Sequence, residues 1–251
     1  MEITSPQFWV SLMEIIGVNI VLSGDNAVVI ALAARMLPVP ARKKAIFFGS
    51  FAAIVMRIIL TVVAVEMLKL RFLKAVGSLL LIWIAVRLLA PEADGEGGPA
   101  ADTGNLWAAV RTILLADLVM SLDNVLGVAA AAHGNLVLLV IGLAISIPLI
   151  IFGSTVILRL MERFPVIILL GAALLGYVAG EMFVTDPAVA PFVETLPAWL
   201  DHVVPLVMAV AVVAVGKLIE ARVLAKRREA KLQSVDLAVS HGRDGDFRGR
   251  S

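Results

Sequence analysis

The chain has 251 residues, a net charge of +1 and 61% hydrophobic residues, with a mean hydropathy of +0.99; a soluble globular protein is nearer half apolar. The near-neutral balance excludes an overall electrostatic bias toward nucleic acid, and the lack of cysteine excludes disulfides, thiolate metal sites and Cys nucleophiles. Three scattered histidines, His133, His202 and His241, do not make a His-based zinc centre.

The opening MEITSPQF carries an acid and no Lys or Arg, so the first apolar run reads as a retained span rather than a cleavable signal. Seven apolar segments follow, at roughly 9–34, 44–66, 72–90, 106–132, 135–158, 165–185 and 203–223. Each is near the length of about 20 residues that crosses ~30 Å of hydrocarbon. The pattern predicts an all-α polytopic membrane protein with about seven transmembrane helices. Between the third and fourth segments, PEADGEGGPAADTGN (91–105) is acidic and rich in Gly and Pro, as a flexible linker is. From about Ala225 the basic Lys226, Arg227, Arg228 and Lys231 lead into a polar, Gly-bearing tail, which predicts a short helical extension followed by disorder.

Lys and Arg set the orientation. With the N-terminus outside and the C-terminus inside, the inner face receives Arg35, Arg42, Lys43, Lys44, Arg87, Arg111, Arg159, Arg163 and the basic tail. The outer face receives only Lys69, Arg71 and Lys74. A shift of 98 residues then brings Ser23, Asp25 and Asn26 onto Ser121, Asp123 and Asn124, and Asn19 onto Asp117. With a drift of a few residues, Gly77, Trp83 and Arg87 fall near Gly171, Tyr177 and Glu181. Each unit is three spans long, so the second enters the membrane from the opposite side. The expected organisation is a first three-span repeat (1–90), the linker (91–105), an inverted second repeat (106–185), a loop with a seventh span (186–224) and the tail (225–251). Inverted repeats are a common plan of secondary transporters, with the site near the midplane.

Asp25 lies near the middle of the first span; Asp117 and Asp123 lie near the middle of the fourth. A central Asp in a lone membrane helix costs about 3 kcal/mol, so such residues usually face a bundle interior or a wet cavity and mark function. Asp117, Ser121 and Asn124 share one helical face, as do Asn19, Ser23 and Asn26. Asp25 and Asp123 sit about 100° around from the neighbouring Asn. A site using both groups therefore needs either width or a helix opened at the motif. Gly24 permits such an opening in the first span; Leu122 disfavours it in the fourth. Carboxylate, carboxamide and hydroxyl oxygens without thiol or imidazole suit hard divalent cations. Asp25, Asn26, Asp123, Asn124, Asp117, Ser23 and Ser121 are accordingly the candidate metal residues, with Asp117 also placed to titrate and couple transport to protons.

Structural readings stand beside these. Ser and Asn within spans bridge helices by hydrogen bonds, and a buried motif Asp has a partner available in Arg57, mid-span in the second segment. Glu181 and Arg87 lie toward helix ends, Glu66 and Lys217 near interfaces. Glu14 shares a face with Asp25 about 16 Å outward. GVAAAA and GAALLGYVAG, in the fourth and sixth spans, read as sites of close helix packing.

NIVLSGDNAVVIALAARMLP followed by ARKKA, with its second copy LADLVMSLDNVLGVAAAAHGN, resembles the TerC family of bacterial integral membrane proteins, and within it the short YjbE/YkoY-type members. The resemblance covers the first six spans. It implies metal-ion export with manganese as the leading substrate, membership of the lysine-exporter-like superfamily, a place in the bacterial cytoplasmic membrane, and roles for Asp25, Asn26, Asp123 and Asn124.

The leading expectation is a secondary exporter of divalent cations, with Mn²⁺ as transported substrate and no prosthetic group. No nucleotide-binding motif is present. An aspartyl-protease dyad is disfavoured because neither motif is Gly-x-Gly-Asp, so the chain is not expected to be an enzyme. Two alternatives are a non-transporting membrane assembly component and an exporter of a small organic solute such as an amino acid, for which Arg57 is the central basic residue. The expected partners are the lipid bilayer and a divalent metal ion, with no nucleic acid; the sequence names no protein partner and leaves room for a homo-oligomer.

Overall fold

A computed structural model describes residues 6–67, 70, 72–89, 106–132, 135–195, 197 and 199–248. All the regular secondary structure among the described residues is helical, with no strand. In chain order the helices are α1 (Pro6–Leu22), α2 (Gly24–Arg35), α3 (Val39–Met67), α4 (Leu73–Leu89), α5 (Leu106–Ala131), α6 (Leu136–Arg163), α7 (Val166–Val184), the short α8 (Ala190–Val193) and α9 (Leu200–Arg248). Each of the seven expected apolar segments is helical, the first as the broken pair α1 and α2. The expected linker 91–105 lies outside the described residues.

By length and hydropathy, Val39–Thr61, Val137–Arg163, Val166–Val184 and Leu200–Ala225 are long and apolar enough to cross a bilayer. The pair Pro6–Ile20 and Gly24–Arg35, bent by 48°, makes a fifth candidate. At 17 residues, α4 is about 26 Å long, slightly short of the hydrocarbon thickness. The tail departs from expectation: α9 is continuous for 49 residues, to Arg248. Ala, Lys, Arg and Glu in AKRREAK are strong helix formers and let the span run on into its polar extension.

One hydrophobic core joins the bundle. At its centre α2 buries Val29, Ile30, Ala31, Leu32, Ala33 and Ala34 in succession, as a helix enclosed on all sides must. Large apolar side chains also point outward, as Phe47, Phe51, Val55 and Ile59 do on α3, the face a lipid-embedded helix presents. Both α1 and α2 pack on α6, while α5 packs on α3, α4 on α7, and α9 on α7 and α4.

Small residues set the closest approaches. A Cβ on Gly49 of α3 would lie 2.6 Å from Ile113 of α5, and one on Gly142 of α6 would lie 2.5 Å from Ile15 of α1. Ile15 and Ile113 are themselves 98 residues apart, so the same register meets a glycine twice. On α7 a Cβ on Gly180 would stand 2.5 Å from the Pro205 backbone of α9, and one on Gly176 would stand 2.9 Å from Ala209. Close packing therefore holds for GAALLGYVAG, whereas Gly127 of GVAAAA is exposed.

The N-terminus of α4 is capped from a distance. Phe72 precedes the helix with a positive φ of 66° and has no side-chain oxygen to offer the first N–H groups. Asp186, just beyond α7, takes that place: its carboxylate accepts from the N–H groups of Phe72 at 3.2 Å, Ala75 at 3.0 Å and Ala188 at 2.7 Å.

Candidate functional site at the centre of the bundle

The two motif-bearing segments meet around Arg57, which α3 carries into the core with 1% of its surface exposed. Its Nη2 forms an ion pair with Asp117 Oδ1 at 2.5 Å and its Nε donates to Ser121 Oγ at 3.0 Å. Its Nη1 donates to Asn19 Oδ1 and Ser23 Oγ, both at 2.7 Å. The cradle is closed by Ser23 Oγ donating to Asn19 at 3.2 Å and Ser121 Oγ donating to Asp117 at 3.2 Å. Each segment thus contributes an i, i+4 pair from one helical face, one neutral and one anionic, to a single guanidinium.

Sequence reasoning offered Arg57 as an available partner for a motif aspartate; among the described residues its ion pair is with Asp117. The structure also directs Asp117, Ser23 and Ser121, all candidate metal residues, to the guanidinium. That arrangement is chemically coherent. A charge buried this deeply is tolerated only when an opposite charge and hydrogen bonds replace its water.

Of the two alternatives, a wide site or an opened helix, the chain shows a break at the position where Gly24 permits one. Between α1 and α2, Ser23 has φ −110° and ψ 4°, and its side chain makes no capping bond because it serves Arg57. α5 runs unbroken through the matching position, as Leu122 predicted. Asp25 stands in the first turn of α2, half-buried, where the positive end of the helix dipole favours a carboxylate. Its Oδ1 accepts from the Asn26 backbone N–H at 2.8 Å.

Asn19 Nδ2, Arg35 Nε and Ser50 Oγ are buried without a partner among the described residues, but Asn26 is the one residue with two such atoms. Its side chain is 2% exposed, and among the described residues neither its Oδ1 nor its Nδ2 has a partner. A buried amide left unsatisfied costs about 1–3 kcal/mol, which calls for a ligand or another explanation. Asn124, its counterpart in α5, is partly buried. The side chain of Asp123 lies outside the described residues, as do His133 and the side chain of Glu66. Among the described residues no group of three or more carboxylate or imidazole side chains converges.

The peripheral charges fall where their sequence positions suggest. Glu14, Arg87 and Glu181 are exposed, and Lys217 pairs with Glu220 at 2.7 Å. Sequence reasoning missed Asp186, which lies in a segment that reads only as a loop; an Asp directly after a helix and before Pro187 is the local signal for a capping carboxylate.

The family model of the integral membrane protein TerC family matches residues 4–224. The uncharacterized membrane protein YjbE of Bacillus subtilis is 45% identical over 195 residues, which cover 75% of this chain and 88% of that protein. YceF, an uncharacterized membrane protein of the same organism, is 29% identical over 72% of this chain and 73% of its own length. The UPF0053 inner membrane protein YgdQ of Escherichia coli is 26% identical over 69% of this chain and 79% of its own. No solved structure matches. The paired Ser-x-Asp-Asn motifs, the all-helical multi-pass architecture and the match over nearly the whole membrane part agree: the chain belongs to the TerC family of integral membrane proteins.

Proposed function

We propose that this protein is a secondary exporter of divalent metal cations, Mn²⁺ foremost, acting in the bacterial cytoplasmic membrane with its N-terminus outside and its C-terminus inside. The observation that carries the reading is Asn26: a buried carboxamide with no partner among the described residues, beside Asp25, at the break between α1 and α2. Helix breaks at mid-membrane are where transporters expose backbone and side-chain oxygens to an ion. In this reading Asp25, Asn26, Asp123 and Asn124 hold the cargo, while Asp117, Ser23, Ser121 and Asn19 hold Arg57.

Charge counting favours a divalent ion. Arg57 and Asp117 neutralise each other, which leaves the two motif carboxylates of Asp25 and Asp123 to balance one doubly charged cation. Oxygen donors alone suit Mn²⁺, Mg²⁺ and Ca²⁺ rather than soft metals. The symmetric contacts of Ile15 on Gly142 and Ile113 on Gly49 support two inverted three-helix units, whose rocking would alternate access, driven by protons or the membrane potential. No enzymatic step and no prosthetic group enters this scheme. Export of a zwitterionic solute would need an anion-binding group, and Arg57, its only central candidate, already has Nε, Nη1 and Nη2 engaged.

Cells lacking their own manganese exporter provide the test. Wild type is expected to lower cell-associated manganese after a challenge. Asp25→Asn and Asp123→Asn, at verified expression, are expected to weaken export by about 10–100-fold, at least what loss of outer-shell support costs a metal site. Wild type that leaves cell manganese unchanged sinks the function; export undiminished in both variants sinks the site.

A further inference from the structure

One end of the bundle carries a groove that the central site does not use. It lies between the C-terminal half of α4 and the N-terminal half of α5, with Trp83, Arg87, Trp107, Arg111 and Thr112 along its walls. Each helix supplies a Trp and an Arg four residues later, hence on one face. The rings are 52% and 73% exposed for Trp83 and Trp107, and both arginines are exposed. The Arg87 guanidinium lies over the Trp83 ring at 5.3 Å. Among the described residues neither arginine has a carboxylate partner.

The groove's level follows from its neighbours. Arg35, ending α2, donates from Nη2 to the Leu88 carbonyl of α4 at 3.1 Å, and Arg42 of α3 pairs with Glu162 of α6. The ends of α2, α4 and α6 and the starts of α3 and α5 therefore share one face of the membrane, where the chain's arginines gather. Trp rings settle at the boundary between headgroups and acyl chains, and paired guanidinium forks match phosphate. A surface that is cationic and aromatic together fits a ligand that is anionic and greasy together. Inorganic phosphate leaves the rings unused. The linker 91–105, which joins α4 to α5, brings Glu92, Asp94, Glu96 and Asp102 but no acyl chain.

We infer that this groove binds the headgroup phosphate of an anionic membrane phospholipid, with Arg87 and Arg111 on the phosphate and Trp83 and Trp107 against the glycerol and upper acyl chains. Basic pockets between spans hold anionic headgroups by the same chemistry.

Native mass spectrometry of the full chain, delipidated in detergent and titrated with phosphatidylglycerol or phosphatidylcholine of matched chains, tests this. Wild type is expected to retain one phosphatidylglycerol at least about tenfold better than phosphatidylcholine, and Arg87→Gln/Arg111→Gln to lose about that preference, as loss of charge-assisted contacts predicts. Lys43→Gln/Lys44→Gln, which removes two exposed charges elsewhere on the same face, is expected to keep it. Size-exclusion elution confirms that each variant is folded. Equal retention of the two lipids by wild type, or an equal loss of preference in both double variants, overturns the inference. So does displacement of the lipid by millimolar inorganic phosphate. Phosphatidylglycerol binding that emerges only after Glu92, Asp94, Glu96 and Asp102 are neutralised would assign the groove to the linker and also overturn it.

Discussion

A guanidinium that satisfies four side chains from two separate helices behaves as a rivet, and its removal leaves more than a gap. Arg57→Ala strands the Asp117 carboxylate in the core, where breaking a buried pair costs about 3–5 kcal/mol. Arg57→Lys keeps the charge but loses the fork, since an ammonium cannot reach Ser121, Asn19 and Asp117 with the same planar geometry. Thermal unfolding in detergent is expected to rank wild type above Arg57→Lys above Arg57→Ala. Arg57→Leu/Asp117→Leu is expected to recover most of the loss, because an apolar pair needs no compensation. An Arg57→Ala variant as stable as wild type would show that the cradle contributes nothing to the fold.

At the level of elements, the cap on α4 ties the beginning of one helix to the end of another, 111 residues away along the chain. Burial alone would push the Asp186 carboxyl up, but the N–H groups of Ala188, Ala75, Phe72 and Lys74 outweigh it and hold the group below its ordinary 3.8. A depressed carboxyl stabilises the fold above its unfolded value, and that contribution disappears as pH falls through the lower folded value. Asp186→Asn is therefore expected to be less stable than wild type by about 1–2 kcal/mol near neutral pH, the scale of a lost cap. The difference should shrink as pH drops below 3.8, read as paired unfolding curves. Amide exchange at Phe72 and Ala75 is expected to quicken in the same variant.

The elements also show what the sequence reveals and what it withholds. Long apolar runs announce every membrane-scale helix, because lipid demands continuous intrahelical hydrogen bonding. The opening at Ser23 and Gly24 was one of two alternatives that the sequence left open, and Leu122 disfavours a break in α5, which is unbroken. The partner of Arg57 was not legible: i, i+4 spacing says that Asp117 and Ser121 share a face, but which helix that face meets is settled by packing between residues 60 positions apart. The Asp186 cap escaped for the same reason. The extent of α9 was not legible because the polar, Gly-bearing composition at its end masks the helix propensity of its residues.

For the whole molecule, the ends of the bundle differ in charge, and that difference predicts orientation. Arg35, Arg42, Lys43, Lys44, Arg87 and Arg111 lie at helix ends joined by the Arg35–Leu88 and Arg42–Glu162 contacts. Glu194, after α7, lies at the other end. The chain has no cysteine, so single-cysteine variants report cleanly. In intact spheroplasts a membrane-impermeant maleimide is expected to label Glu194→Cys directly, and Lys43→Cys only after permeabilisation. The reverse pattern would invert the topology, and with it the direction assigned to transport.

The cradle around Arg57 also bears on how such a molecule could have arisen. Counting from the matched glycines Gly49 and Gly142, the position in α6 that answers Arg57 is Ile150, a buried aliphatic. Two copies of the expected first repeat (1–90) would bring to the cradle two Arg57 guanidiniums and no counterpart of Asp117; two copies of the expected second (106–185) would bring two Asp117 carboxylates and no counterpart of Arg57. Neither half is self-complementary. Arg57 and Asp117 are complements supplied from opposite sides of the linker, so the pair forms only when both parts of the chain are present.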